Sequence, residues 1–122
     1  MDIQAKRVYA PIERTDGTRV LVDRVWPRGI SRGKTGAKLW LREAAPTTAL
    51  RKWFGHDRCR WEEFRRRYPA ELDGKPETVR ELLELAAQGR VTLLYSARDE
   101  GCNQAVALGE YLMSRAKGRQ AT

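Results

Sequence analysis

Residues Val91-Thr-Leu-Leu-Tyr-Ser96 form an apolar run that leads through a polar turn into a helical pattern from Asn103. A strand this apolar has no solvent face. A chain that contains it must cover a sheet on both sides, as parallel α/β sheets do. Arg19–Val25 repeats the signal around Val20-Leu-Val and stops at Trp26-Pro27, because proline has no N–H for a strand ladder. In open parallel sheets, ligands bind outside the carboxyl ends of the strands, where helix N-termini offer free N–H groups to anions. The tip of one strand would therefore carry Asp23, Arg24, Trp26 and Arg28 to the same rim as Tyr95, Ser96, Arg98, Asp99, Asn103 and Gln104.

The rest of the chain fills in around these two strands. Ile3–Tyr9 reads as a first strand, interrupted by Lys6 and Arg7, and Asp16-Gly17 is turn chemistry. Gly29–Gly36 reads as a flexible loop, and Lys38–Arg42 as a short extended piece. Helical spacing then takes over. Thr47 or Thr48 caps a helix that Gly55 stops after Phe54, and Asp57 caps the next, in which Trp61, Phe64 and Tyr68 recur on one face. A third helix opens at Pro76 and turns Val79, Leu82, Leu83 and Ala86 inward before Gly89. The last runs from about Asn103 to Arg115. The pattern predicts a small three-layer α/β sandwich with a short, mostly parallel sheet and a helical insert at 47–88. Residues 1–115 would form a single domain, and 116–122 a flexible C-terminal tail.

Charge decides which partners are worth considering. The formal net charge is +8, and 18 of the 24 basic residues are arginine, whose planar fork suits phosphate and carboxylate. Arginine enrichment also follows from a GC-rich genome, so the excess alone assigns nothing. No apolar run approaches the roughly 18 residues of a membrane span, and the N-terminus has no stretch of signal-peptide length. Cytoplasm is the expected location, with no membrane partner. Cys59, Cys102 and the lone His56 have no metal-ligand spacing, so neither a metal nor a cofactor is expected.

Several motifs fail on their own chemistry. Gly29-Ile-Ser-Arg-Gly33-Lys34-Thr35 has one residue too few between its glycines for a phosphate-binding P-loop, and Gly36 follows where a helix should begin. Cys59 to Arg65 has phosphatase-like spacing, but the residues between are helical in pattern. His56 reads as a polar loop residue, since no serine sits on a nucleophile elbow. Arg65-Arg66-Arg67 point about 100° apart on a helix and have Glu62, Glu63 and Glu71 at pairing distance, which describes a solvated face.

Four segments together carry a family resemblance: Lys6-Arg-Val-Tyr9, Arg19-Val-Leu-Val-Asp-Arg-Val-Trp-Pro-Arg-Gly29, Ala45 to His56, and Thr92-Leu-Leu-Tyr-Ser-Ala-Arg-Asp99 with Asn103 beyond it. The chain resembles the YeaO-like family of small bacterial proteins, domain of unknown function 488, over residues 4–114. The resemblance implies a compact cytosolic α/β domain and no particular activity. The family often carries His or Gln at the position of Cys102, and His at that of Gln104, which argues against a cysteine nucleophile.

The expected function is binding of a small phosphate- or carboxylate-bearing ligand. Arg24, Arg28 and Arg98 would clamp the anion, Asn103 and Gln104 would donate from the helix start, and Trp26 would wall the pocket. Asp23 or Asp99 is the weak candidate for a general base. The alternatives are a basic nucleic-acid-binding module and a thiol-dependent enzyme using Cys102.

Overall fold

A computed structural model describes residues 2–120. Among them are four strands, β1 (Ile3–Arg7), β2 (Thr18–Leu21), β3 (Leu39–Trp40) and β4 (Val91–Tyr95). The α-helices are α1 (Arg32–Thr35), α2 (Thr48–Phe54), α3 (Trp61–Asp73), α4 (Pro76–Gln88) and α5 (Gln104–Gln120). The sheet order is β1-β4-β2-β3, and every neighbouring pair is parallel. This is a small α/β fold, as the sequence pattern predicts.

β4 lies between β1 and β2, which explains its apolar run. Leu93 aligns with Ala5 on one side and with Val20 on the other. Val91, Leu93 and Tyr95 face the helices and share the main core with Phe64, Tyr68, Leu108 and Leu112. On the opposite face Leu94, Val8 and Leu21 are covered by Trp26, Ile30, Ala37 and Trp40. One layer is therefore built from α2–α5, and the layer across the sheet from the 26–40 segment with its single-turn α1. Each fully buried Leu or Val in these layers contributes about 1.5–3 kcal/mol through removal from water.

The glycine-rich 29–36 segment is more ordered than its composition suggests. Ser31 caps α1 by accepting the Lys34 N–H, and Gly36 closes it in the left-handed conformation at φ 64°. That turn presents the Thr35 carbonyl to Arg19, whose Nε and Nη2 both donate to it, at 2.9 and 2.7 Å. β3 is the expected extended piece, trimmed to two residues that pair with β2. β2 also ends earlier than its apolar pattern implies. The Val22 N–H still bonds Leu94, but Asp23 turns its carboxylate to the Ser96 N–H.

The helices follow their capping signals. The Thr47 hydroxyl accepts from the Leu50 N–H, Gly55 ends α2 at φ 54°, and Pro76 opens α4. Asp57 caps the 3-10 turn Arg58–Arg60 that leads into α3, and does not cap α3 itself. α5 continues past Arg115 to Gln120, because Ala116 extends the buried stripe of Leu108 and Leu112 by one more turn. Residues 121 and 122 of the expected tail lie outside the described residues. No helix among the described residues is long and apolar enough to cross a membrane.

Candidate functional site

A cleft of about 90 Å³ opens at the carboxyl ends of β2 and β4. Its polar lining is Asp23, Arg24, Arg51, His56, Ser96 and Gln104, and its apolar walls include Pro46, Phe54 and Phe64. The position follows from topology. The chain leaves β4 toward the helical face and α5, whereas β2 continues into the segment covering the other face, so the two tips diverge and leave a gap.

Asp23 forms the floor. It is 6% exposed, and its two oxygens accept from different elements, Oδ2 from the Ser96 N–H at 3.0 Å and Oδ1 from Gln104 Nε2. Burial pushes its carboxyl above the ordinary value of 3.8, against the lowering pull of the Ser96 and Gln104 hydrogen bonds and of nearby His56. The Ser96 end is fixed in turn by Arg7, which donates from Nε to the Ala97 carbonyl at 3.0 Å and from Nη2 to the Ser96 carbonyl at 3.3 Å. Arg7, which breaks the strand pattern in the sequence, positions the rim.

The cationic side is built by α2 and the turn after it. Leu50 and Phe54 anchor α2 in the core. Arg51 follows Leu50 directly, so it leaves at the edge of that buried stripe and reaches the cleft mouth as an exposed side chain. His56 comes after Gly55 at φ 58°, and among the described residues it is the one non-glycine with positive φ. That conformation costs roughly 1–3 kcal/mol and clusters at ligand sites. Arg24 lines the cleft too, though its fork is partly engaged: Nε donates to the Pro46 carbonyl at 3.1 Å and Nη2 to that of Ala45 at 3.3 Å.

Four of the expected site residues, Asp23, Arg24, Ser96 and Gln104, therefore meet in one cleft. The others lie elsewhere. Trp26 is turned under the sheet, donating from Nε1 to the Ile30 carbonyl and packing edge-on against Trp40 at 5.2 Å between centroids. Arg28 is exposed, and its carbonyl accepts the Tyr9 hydroxyl. Arg98 is exposed and does not line the cleft. Tyr95 is a core side chain, its phenol titrating above 10.0 because of burial. Buried Asn103 caps α5, with Oδ1 accepting from the Val106 N–H and Nδ2 donating to the Asp99 carbonyl.

Asp99 is occupied as well. It receives Arg58 through both oxygens at 2.7 and 2.9 Å, and also the Gly101 and Cys102 N–H groups. Those two backbone hydrogen bonds, then Arg58, hold it below the ordinary carboxylate value. A carboxylate tied this way orients the turn before α5 and is poorly suited to take a proton. Cys102 is half-buried against the main core and outside the cleft. Cys102→Ser is expected to change stability by about 1 kcal/mol or less and to leave the cleft unchanged. Fast alkylation at neutral pH, with loss of a measurable activity in the serine variant, contradicts this. Among the described residues no three His, Cys, Asp or Glu side chains are grouped to hold a metal.

A family model, DUF488-N3i, described as the inactive DUF488-N3 subclade, matches residues 2–122. The chain belongs to the DUF488-N3i family. It is 42% identical over 114 residues to the uncharacterized protein YeaO of Escherichia coli strain K12, covering 93% of this chain and 99% of that protein. It is 35% identical over 113 residues to Rv3073c of Mycobacterium tuberculosis strain H37Rv, covering 93% and 95%. No solved structure matches significantly. The strand-tip rule points to Asp23, Arg24, Ser96 and Gln104 in this DUF488-N3i protein but not to Arg51, and His56 is the loop residue its sequence context suggests, carried by the fold to the cleft. The Gly55-His56 pair after a helix was the available signal, since two residues there must turn the chain sharply.

Proposed function

We propose that this protein binds a small anionic ligand, bearing phosphate or carboxylate, in the cleft between the tips of β2 and β4. The observation that carries the reading is the convergence of Arg24, Arg51 and His56 on one cleft whose lining, among the described residues, includes a single carboxylate, Asp23. Asp23 already accepts a hydrogen bond at each oxygen. Arg51 is exposed and offers a planar fork for a tetrahedral or planar anion. Phe54 and Phe64 give the ligand an apolar wall that lowers the local dielectric and strengthens those charged contacts.

Binding without turnover is the favoured form of this reading. Asp23 is the one carboxyl among the described residues that line the cleft, and both of its oxygens are already engaged by hydrogen bonds, which suits it poorly to taking a substrate proton. The family's description as an inactive subclade points the same way. A binder of this kind would report or buffer the ligand, or hold it for a partner.

Thermal unfolding in increasing inorganic phosphate tests the proposal. A ligand that binds only the folded state raises its stability by RT ln(1 + L/Kd), with L the free ligand concentration. Wild-type protein is expected to gain stability, and Arg51→Ala to need roughly 10- to 150-fold more phosphate for the same gain. That is the equivalent of one charge-assisted hydrogen bond of about 1.5–3 kcal/mol. Equal phosphate stabilisation in the two proteins would count against the cleft.

A further inference from the structure

The arginines of this protein differ in how far neighbouring carboxylates neutralise them. On α3 they are neutralised: Arg65 pairs with Glu62 and Glu110, and Arg66 and Arg67 both pair with Glu63. The segment that covers the other face of the sheet is different. Residues 24–42 contain six basic residues, no Asp and no Glu apart from their flanks. Five of the six, Arg28, Arg32, Lys34, Lys38 and Arg42, are exposed. None of the five is ion-paired with a described carboxylate.

Their placement is organised by aromatic rings. The Arg32 guanidinium lies over Trp26 at 6.0 Å, and that of Arg42 over Trp40 at 5.1 Å. The two rings are 5.2 Å apart, so both forks belong to one patch, and Lys38 lines the same shallow depression as Arg32. Stacking restricts a long side chain before any partner arrives, which reduces the ordering cost of a later contact. The tryptophans themselves are half-buried, and their N–H groups are used internally, on the carbonyls of Ile30 and Asp23. The patch therefore presents charge at its centre, with exposed Tyr9, whose hydroxyl bonds the Arg28 carbonyl, and exposed Ile12, beside Gly36, at its border. A protein partner would call for a buried aromatic or aliphatic centre, whereas a phosphodiester chain calls for unpaired cations spread over a surface.

We infer that the 28–42 face is a second binding surface, distinct from the cleft, that holds the phosphate backbone of a nucleic acid without reading its sequence. It needs no ligand in the cleft. Backbone binding of this type releases counterions, so affinity falls steeply with salt. α3 contributes little, because its arginines would first have to leave their glutamates.

Fluorescence anisotropy with labelled single- and double-stranded DNA of arbitrary sequence tests it at several salt concentrations. Binding is expected at low salt with either probe. The triple variant Arg28→Gln, Lys34→Gln, Lys38→Gln spares the stacked arginines and should fold normally, which its thermal unfolding checks. It should bind at least roughly tenfold more weakly, with a salt slope shallower by about one per cation removed. Arg66→Gln should leave affinity unchanged. No binding at low salt overturns the inference, as does a triple variant that folds and binds like wild type. Equal loss in Arg66→Gln overturns the placement. Tighter binding to polyglutamate or to anionic vesicles than to DNA would assign the face to a different partner. Arg51→Ala, which weakens phosphate in the cleft, should not alter DNA binding, so the two proposals fail separately.

Discussion

Asp16→Ala should lower the folding free energy by about 3–5 kcal/mol, the usual cost of removing one partner from a buried ion pair. Asp16 is 2% exposed and Arg19 is 3% exposed, and Oδ2 meets Arg19 Nη1 at 2.6 Å. Lys6 Nζ lies 3.1 Å from both carboxylate oxygens, and the Glu13 N–H bonds Oδ2 at 3.0 Å. Alanine would leave Arg19 buried with only the Thr35 carbonyl as partner, and Lys6 with Glu13. Burial alone would raise the Asp16 pKa, but these hydrogen bonds outweigh it and hold it below 3.8. A carboxyl depressed on folding stabilises the protein above its unfolded value. That stability is lost as pH falls through the folded value. Asp23 has the opposite sign. Its raised pKa means its ionisation works against folding, and the protein recovers that cost as pH falls through the folded pKa. Urea unfolding of Asp16→Ala at neutral and acid pH checks both parts: a loss near neutral pH that shrinks in acid. A loss under 1 kcal/mol at neutral pH would show that the pair is not what fixes the β1–β2 connection.

Phe64→Ala should cost a similar amount, about 3–5 kcal/mol, for a different reason. Phe64 is 1% exposed and central to an aromatic row, 4.5 Å from Phe54, 5.8 Å from Trp61 and 5.4 Å from Tyr68 between ring centroids. Removing the ring leaves a cavity between α2 and α3 and takes away a wall of the cleft. Arg51 and His56 hang on the α2 side of that wall, so the variant should also bind phosphate more weakly. Phe64→Leu keeps most of the volume and should lose less of both. Denaturant unfolding and phosphate titration of the pair check this. Full stability in Phe64→Ala would mean that α2 and α3 are held together by something other than the aromatic row.

What could be read from the chain was governed by periodicity. β4, β2, α4 and α5 each carry an apolar repeat that suits one environment, and the structure uses them that way. Arg7 and Lys6 look like interruptions of β1 because a one-dimensional pattern cannot show that Ser96 and Asp16 lie alongside. The same limit hid α1, whose turn depends on Ser31 and Gly36 and is held by the buried Arg19 of another strand. At the site, residues attached to the strand tips were found, because the sheet rule points to them. Arg51 and His56 come from the insert, and only the packing of Phe54 against Phe64 brings them back to Asp23. Trp26 and Arg28 follow β2 in the sequence, which points them to the rim. In the folded chain the backbone turns beneath the sheet after Val25 and takes them with it.

An anion site floored by Asp23 can be checked by titrating wild type and Asp23→Asn with inorganic phosphate while following backbone amide resonances. Asparagine keeps the shape: its Oδ1 can accept the Ser96 N–H, and Gln104 can turn its amide to accept from Nδ2. Only the negative charge beside the ligand is removed. The predicted result is that shifts concentrate at Arg51–His56, Ser96 and Gln104. Asp23→Asn should bind phosphate more tightly than wild type at neutral pH, with the difference closing as pH falls and wild-type Asp23 takes up its proton. Shifts absent from these residues, or a phosphate affinity that Asp23→Asn leaves unchanged, would contradict the account.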